Sequence, residues 1–364
     1  MQPPPITLPP AASPSLTLLL CLLACLSSQI IQKAIAAAAN SMVPPAVPPF
    51  GDSTVDAGDN NYFPTLARSN VPPYGRDFMG GIPTGRFTNG KVPSDLLVEA
   101  LGIKELVPPY LDPNLSMQDL LTGMRFLSSD SIAFSVKNFC VRNDQMAMTL
   151  LKQLKLLEEY IEKLKGEIGE ERTKSIVSES LYMLCFGGND IVVYFATPLR
   201  RSQYDISSYT DILLLNELYR LGAWRIVVYS IPPVGCIPSQ RTIGGGETRL
   251  CEEKHNQAAM LFNSKLSSQL NLLNNKLPQA MPLYTDIYNS TLDLIQNPHT
   301  HGFEEATKGC CGTGTIEVTN ILCNGNPFTC TYTSEYVFWD SYHPTEKTFR
   351  IILTPILKYL YSLF

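Results

Sequence analysis

Two short polar segments near opposite ends of the chain carry the side chains needed for nucleophilic catalysis. Gly51-Asp52-Ser53 supplies a hydroxyl, and Asp340-Ser341-Tyr342-His343 supplies an imidazole with a carboxylate three residues before it. A serine hydroxyl is a weak nucleophile until a base removes its proton, and histidine suits that role because its pKa lies near neutral pH. A carboxylate then orients the imidazole and stabilises its charged form. We therefore predict Ser53 as the nucleophile, His343 as the base and Asp340 as the group that orients it.

His343 is selected from four histidines. His255 falls within a predicted helix over Glu252–Leu277, among polar neighbours, which is the setting of a solvated surface residue. His299 and His301 lie in a polar loop, and together with the cysteines that follow they match no zinc-ligand spacing. We therefore expect no metal site.

Apolar segments typical of strands come immediately before several polar segments. They cover Ser180–Phe186, Arg225–Ile231 and Pro282–Ile287. Between them lie segments with helical spacing of apolar residues, of which Leu150–Ile168 is the clearest. Strands that alternate with helices predict an α/β fold, a three-layer α/β/α sandwich around a central parallel sheet. Because ligands bind at the carboxyl ends of such strands, we expect Gly187–Asp190 to meet the two catalytic segments at one edge of one sheet.

Prolines set the expected limits of two elements. Pro48 and Pro49 precede the nucleophile segment. Because proline cannot donate a backbone hydrogen bond, the first strand is expected to be shortened or displaced. Pro344 follows His343 and fits the first position of a last helix.

The composition is that of a globular, weakly acidic protein. Of the 364 residues, 45% are hydrophobic, and the formal net charge of −5 offers no basic surface to nucleic acid. The apolar run Leu16–Leu26 has the length of a signal-peptide core and is too short to span a bilayer. We predict a signal peptide over residues 1–39, cleaved between Ser27 and Ala39. A single secreted domain follows over residues 40–364, with no membrane-spanning helix.

The cysteines agree with export. Of ten cysteines, Cys21 and Cys25 lie in the signal segment and eight follow it. Several of these crowd into a loop-like segment near the C terminus, which is typical of disulfide bonds in an oxidising compartment. The disulfide candidates are Cys236, Cys251, Cys310, Cys311, Cys323 and Cys330, and the sequence leaves their pairing open. Two N-x-[ST] triplets, at Asn114 and Asn289, are candidate glycosylation sites.

In their order along the chain, these segments resemble the plant GDSL esterase/lipases of the SGNH hydrolase superfamily, and within them the extracellular lipase branch. The resemblance is carried by Phe50–Asn61, Pro72–Phe78, Pro83–Lys91, Gly187–Asp190, Pro232–Cys236, Pro238–Arg241, Lys308–Gly314 and Phe338–Pro344. Each motif alone is weak, but an ordered series of them is specific. The resemblance implies an SGNH (flavodoxin-like) sandwich and a secreted enzyme that cleaves acyl or acetyl esters, including lipids, through an acyl-enzyme intermediate.

The resemblance also implies roles for individual residues. Ser53 would donate its backbone N–H to the developing oxyanion. Asn189, beside Gly187, would donate a second hydrogen bond from its side-chain amide. Asp56 and Asn60 would support the nucleophile, although a purely structural role fits both equally well. Family members use no metal or organic cofactor. We expect a monomer whose partner is a small-molecule ester or lipid.

The sequence departs from the family pattern where a glycine-rich turn normally contributes another oxyanion donor. Here Phe126–Ile132 contains no glycine, and the residues as far as about Met148 do not fit the family. Residues with a Cβ resist the positive φ that glycine adopts. Asp130 would also bring negative charge towards an oxyanion. A second class of function therefore stays open, namely a relative that keeps the fold and binds ligands without turnover.

Overall fold

Four parallel strands form the central sheet in the computed structural model of the protein. The structure describes residues 43–62, 65, 68–123, 150–196, 214–277, 281–318, 322–326 and 328–363. The strands, in their order across the sheet, are β1 (Pro49–Gly51), β2 (Leu181–Cys185), β3 (Arg225–Tyr229) and β4 (Met281–Thr285). All three adjacent pairs are parallel. The predicted strands are therefore confirmed, although each ends one or two residues earlier than the sequence pattern indicated.

Helices cover both faces of this sheet. Within the described residues they are α1 (Pro93–Ala100), α2 (Met117–Leu121), α3 (Leu150–Ile168), α4 (Glu170–Glu179), α5 (Gly188–Ala196), α6 (Leu214–Arg220), α7 (Pro238–Gly244), α8 (Glu253–Lys276), α9 (Tyr288–Gln296) and α10 (Glu346–Leu363). Leu184 and Val228 of the sheet join the main hydrophobic core with α3 and α8. Cys185 and Tyr229 line a cavity with α9 and α10 on the opposite face. Successive strand residues face opposite layers, so the predicted α/β/α sandwich is confirmed.

The helix α3 shows why the sequence pattern located this layer. Its buried apolar residues include Leu150, Leu154, Leu157, Ile161 and Leu164, which follow steps of three and four. That spacing places them on one face of an α-helix, where they pack into the main core. The helix ends at Ile168, where the apolar pattern ends, and Leu150 is the first described residue of this segment.

The strand β1 is short, as its prolines predicted. Among the described strands it is the outermost of the sheet, and it pairs with β2. The carbonyl of Pro48 accepts a hydrogen bond from the N–H of Met183 at 3.1 Å. Proline contributes its carbonyl to such pairing but no N–H. The strand therefore keeps its register while regular pairing is limited to three residues.

Gln153 of α3 pairs with the backbone of β1 through its side-chain amide. Its side-chain Oε1 accepts a hydrogen bond from the Gly51 N–H at 3.0 Å, and its Nε2 donates to the Gly51 carbonyl at 2.9 Å. Gln153 is fully buried. These two bonds hold the backbone two residues before Ser53.

Replacing Gln153 by leucine is expected to lower the free energy of unfolding by about 1–3 kcal/mol. The change removes two hydrogen bonds to the Gly51 backbone, each of which contributes about 0.5–1.5 kcal/mol. Urea unfolding followed by circular dichroism measures the difference. Gln118→Leu is the matched control because Gln118 is exposed, and its change should stay within about 0.5 kcal/mol. A Gln153→Leu variant as stable as Gln118→Leu would contradict this prediction.

The segment that carries Asp340 and His343 follows a separate two-stranded sheet. This sheet pairs β5 (Glu305–Gly309) with β6 (Tyr336–Phe338) in parallel. The expectation that all polar segments follow strands of one sheet was therefore wrong for this segment. The N–H of Cys310 donates to the Phe338 carbonyl at 3.0 Å. The pairing of β5 with β6 therefore continues into the cysteine-rich loop that follows β5.

All six candidate cysteines form disulfide bonds. The pairs are Cys236–Cys251, Cys310–Cys330 and Cys311–Cys323. Cys185 is buried and free, whereas Cys140 lies outside the described residues. The prediction of a disulfide-bonded loop is confirmed, and the pairing, which the sequence left open, follows from the structure.

Two predictions of detail were wrong. Helix α10 begins at Glu346, and the hydroxyl of Thr345 accepts from the Thr348 N–H at 3.4 Å, so Pro344 lies before the helix and not at its first position. His255 is half-buried rather than solvated. Its ring packs on Phe195 with a centroid distance of 4.3 Å, and burial lowers the pKa of the imidazole.

Residues Pro45–Leu363 form one compact unit. Among the residues that the structure describes, no helix combines the length and the apolar character needed to cross a bilayer. The predicted signal segment, residues 1–39, lies outside the described residues.

Candidate active site

Ser53 follows β1 through a turn that only glycine permits. Gly51 has φ +146°, and a Cβ on it would collide with the carbonyl of Cys185 on β2. Asp52 then caps the short 3₁₀ helix Ser53–Val55 by accepting a hydrogen bond from the Thr54 N–H at 3.0 Å. The sharp turn and the cap fix the backbone on both sides of Ser53. The hydroxyl is therefore held beyond the carboxyl end of β1.

The structure brings Ser53, His343 and Asp340 together. The Nε2 atom of His343 lies 2.7 Å from the Ser53 hydroxyl oxygen. On the other side of the ring, Nδ1 lies 2.8 Å from Oδ2 of Asp340. Ser53 and His343 are 7% and 6% exposed, and Asp340 is fully buried. This arrangement can pass a proton from the hydroxyl to the imidazole while the carboxylate holds the ring.

Asp340 is a buried carboxylate whose negative charge is well compensated. Its Oδ1 accepts hydrogen bonds from the backbone N–H groups of Tyr342 and His343, each at 2.8 Å. Burial acts to raise the pKa of Asp340. The charge of His343 and the hydrogen bonds from His343, Tyr74 and the Tyr342 N–H act in the other direction. Together they outweigh burial and hold this pKa below its ordinary value. Asp340 therefore stays ionised and able to stabilise a positive imidazolium.

Tyr74 and Phe87 complete the surroundings of the pair, and sequence reasoning gave neither a role. The Tyr74 hydroxyl donates to Oδ2 of Asp340 at 2.7 Å, and both groups are buried. The ring of Phe87 lies against the His343 ring, with centroids 5.0 Å apart. Both aromatic residues lie in segments that carry the family resemblance. That resemblance was the only feature of the sequence from which a role for them could have been predicted.

Replacing Tyr74 by phenylalanine is expected to lower kcat/KM for an ester about tenfold, which corresponds to the loss of one hydrogen bond to a charged group. The Tyr74 bond lowers the pKa of Asp340, so its loss lets that pKa rise towards the ordinary value. Asp340 orients and stabilises the imidazolium only while it is ionised. The variant should therefore lose activity at a higher pH on the acidic side. Activity measured against pH checks this, with Tyr332→Phe, a change at an exposed tyrosine, as the control. If Tyr74→Phe and the wild type lose activity at the same acidic pH, the prediction is contradicted.

Gly187 and Asn189 lie at the same edge of the sheet as Ser53. The carboxyl ends of β1 and β2 are in register, Gly51 opposite Cys185. Asn189 is half-buried in the first turn of α5, which begins just beyond β2. Gly187 has φ +100°, and a Cβ there would lie 2.8 Å from Cδ1 of Ile231. The backbone before Asn189 thus requires glycine for conformation and for packing.

Asp56 and Asn60 are both fully buried within the loop that follows Ser53. Asp56 Oδ1 accepts hydrogen bonds from the N–H groups of Gly58 and Asp59, at 2.8 and 3.0 Å. These contacts hold the loop rather than the reacting groups. The segment Phe126–Ile132, in which the family places a further oxyanion donor, lies outside the described residues.

The described part of the chain contains no group of three or more histidine, cysteine or acidic side chains arranged to hold a metal ion. His301 instead contacts Asp293, with Nε2 2.7 Å from Oδ2. Cys310 and Cys311, which follow these histidines in the sequence, are held in disulfide bonds.

In this α/β/α sandwich a serine contacts a histidine, which in turn contacts an aspartate. This is the arrangement of the serine hydrolases. Comparison with known proteins narrows the class. The family described as GDSL-like Lipase/Acylhydrolase matches residues 47–356. GDSL esterase/lipase EXL3 of Arabidopsis thaliana is 46% identical over 324 residues, 87% of this chain and 88% of the relative. GDSL esterase/lipase EXL2 of the same plant is 47% identical over 329 residues, 85% of this chain and 86% of the relative. The chain belongs to the GDSL-like lipase/acylhydrolase family and is a hydrolase that acts on ester bonds.

Proposed function

We propose that this protein is a secreted carboxylic-ester hydrolase that cleaves acyl esters, lipid-type esters among them, through a covalent intermediate on Ser53. The observation that carries the proposal is the contact of 2.7 Å between the Ser53 hydroxyl oxygen and His343 Nε2, backed by Asp340 on the far side of the ring. A hydroxyl that donates to a held imidazole is an activated nucleophile.

The reaction runs in two halves. In the first, Ser53 Oγ bonds to the carbonyl carbon of the ester while its proton passes to His343 Nε2. The tetrahedral intermediate then collapses, the bond to the alkoxide breaks, and His343 returns the proton to the departing alcohol. In the second half, His343 removes a proton from water and the water oxygen attacks the acyl carbon. The bond from that carbon to Ser53 Oγ then breaks, His343 returns the proton to Oγ, and the acid departs. Asp340 stays ionised throughout and stabilises the imidazolium.

The developing oxyanion needs hydrogen-bond donors at the edge of the sheet. We assign the Ser53 backbone N–H and the side-chain amide of Asn189 to this role, because both lie beyond the carboxyl ends of β1 and β2. One such donor is worth about 2.7–4 kcal/mol of transition-state stabilisation.

The disulfide bonds and two exposed asparagine side chains support secretion. Three disulfide bonds, Cys236–Cys251, Cys310–Cys330 and Cys311–Cys323, favour an oxidising compartment. The side chains of Asn114 and Asn289 are exposed, as glycan acceptors must be. We propose a glycosylated extracellular protein that acts as a monomer.

Two measurements test the catalytic proposal together. The purified protein should hydrolyse p-nitrophenyl acetate and butyrate, and an organophosphate ester should inactivate it by labelling Ser53 alone, as read by peptide mass mapping. A folded protein that neither hydrolyses these esters nor takes up the label would overturn the enzyme reading in favour of a ligand-binding relative.

A further inference from the structure

A cavity of about 80 Å³ lies on the face of the sheet covered by α9 and α10. Its walls are mainly apolar and include Ile287, Ile295 and Ile352. The cavity has room for about five to eight water-sized positions of about 10–15 Å³ each, which is enough for a short hydrocarbon chain. Its lining therefore suits an aliphatic group better than a charged one.

The partly exposed side of this cavity adjoins the candidate catalytic residues. Among its lining residues, Thr54, Tyr342 and Pro344 keep partial exposure. Thr54 follows Ser53 directly, and the other two flank His343 in the sequence. An acyl group attached to Ser53 would start beside this opening.

Two buried hydroxyl-bearing residues interrupt the apolar lining. Tyr229 of β3 and Thr291 of α9 both line the cavity, at 4% exposure each. Neither hydroxyl has a hydrogen-bond partner in the part of the chain that the structure describes. Burial raises the pKa of the Tyr229 phenol, so it keeps its proton and can donate.

Other buried hydroxyls without described partners, such as those of Ser69 and Ser94, do not line this cavity, whereas those of Tyr229 and Thr291 do. These two belong to different elements, a strand and a helix, and share one cavity. A purely aliphatic ligand would leave both unpaired, whereas a ligand with an oxygen atom along its chain would accept from one of them.

We propose that the cavity lined by Tyr229 and Thr291 binds the acyl chain of the substrate, and that it selects short acyl chains carrying an oxo or hydroxyl oxygen. The proposal rests on the proposed function of Ser53, because it assigns the acyl side of that reaction. The apolar walls would hold the methylene groups, and the two hydroxyls would hold the oxygen.

Matched esters test this selectivity. p-Nitrophenyl hexanoate is compared with p-nitrophenyl 4-oxohexanoate and 5-oxohexanoate, so that the oxygen is presented at two positions along the chain. The wild-type protein should show a kcat/KM about tenfold higher for the better oxo ester, as expected for one added buried hydrogen bond. A Tyr229→Phe, Thr291→Val double variant lacks the two hydroxyls. In this variant, the ratio of kcat/KM for the oxo ester to kcat/KM for the plain ester should be near one.

A tyrosine on the neighbouring strand gives the matched control. Tyr182 is also buried, but it joins the core on the opposite face of the sheet and donates its hydroxyl to the Val177 carbonyl at 3.0 Å. Tyr182→Phe should therefore keep the wild-type ratio. A wild-type ratio near one overturns the proposal, and so does a high ratio that survives in the double variant.

A binding measurement separates this inference from the proposed catalysis. Ser53→Ala protein is titrated by calorimetry with methyl hexanoate and with methyl 4-oxohexanoate and 5-oxohexanoate. The better oxo ester should bind about tenfold more tightly, and the preference should vanish when Tyr229→Phe and Thr291→Val are added. If the wild type fails to hydrolyse any ester while this preference holds, the catalytic proposal fails and the cavity assignment stands. Equal binding of the plain and oxo esters overturns the assignment.

Discussion

Replacing Ser53 by alanine is expected to reduce kcat for ester hydrolysis by about 10⁴–10⁶-fold, the loss typical of a serine hydrolase without its nucleophile. The side chain has one described partner, the Nε2 atom of His343 at 2.7 Å. Without Oγ, no group beside His343 can take up the acyl chain, and water must attack the ester directly. Activity that remains would come from binding and from the oxyanion donors.

The same substitution should leave the fold almost unchanged. The backbone of Ser53 keeps its own bond, in which its carbonyl accepts from the Asp56 N–H at 3.3 Å. Loss of one neutral hydrogen bond lowers the free energy of unfolding by about 0.5–1.5 kcal/mol. Thermal unfolding measures this, and steady-state kinetics with p-nitrophenyl butyrate measures the activity.

Ser94→Ala controls for the loss of a buried serine hydroxyl. Ser94 lies on α1, is fully buried, and its hydroxyl has no hydrogen-bond partner within the described residues. This variant should keep wild-type kcat. If Ser53→Ala retains more than about a tenth of wild-type kcat while Ser94→Ala is normal, the hydroxyl of Ser53 is not the nucleophile.

Local features of the fold and site were predictable, because they depend on residues close in sequence. The three-residue spacing of Asp340 and His343 allowed the carboxylate to reach the ring, and it does so at 2.8 Å. The apolar spacing over Leu150–Ile168 predicted α3 and its end at Ile168. Spacing of this kind is set by helix and turn geometry, which the sequence encodes directly.

Contacts between distant segments were not predictable from spacing. Tyr74 reaches Asp340 across 266 residues, and Gln153 reaches Gly51 across 102. Nothing in the local sequence of either residue marks its partner, because the contact exists only once the sandwich has formed. The pairing of β6 with β5 instead of the central sheet escaped prediction for the same reason.

Asp340→Asn is expected to lower kcat by about 10⁴-fold, as in other triads whose carboxylate becomes an amide. Both oxygens of Asp340 lie within reach of His343 Nδ1, at 2.9 Å for Oδ1 and 2.8 Å for Oδ2, but their other partners differ. Oδ1 accepts from the Tyr342 and His343 backbone N–H groups, and Oδ2 accepts from the Tyr74 hydroxyl. We expect an asparagine to keep its one oxygen towards the two backbone donors. Its NH₂ group would then replace Oδ2, the oxygen nearer to Nδ1 of His343.

An NH₂ group beside Nδ1 makes that nitrogen an acceptor and leaves the proton of the neutral ring on Nε2. Nε2 is the atom 2.7 Å from the Ser53 hydroxyl, so the base would arrive already protonated and could not remove the serine proton. The nucleophile would remain in place without activation. Asp340→Asn should therefore keep Ser53 and its geometry while losing the reaction.

A second aspartate–histidine pair in the same protein provides the matched control. Asp293 lies on exposed α9 surface, and its Oδ2 is 2.7 Å from Nε2 of His301. Asp293→Asn makes the same chemical change at an exposed pair that is not part of the catalytic site, and it should keep wild-type kcat. Steady-state kinetics on both variants, with thermal unfolding to check the fold, decides the matter. If Asp340→Asn stays within about tenfold of wild type, His343 does not depend on Asp340 for its tautomer.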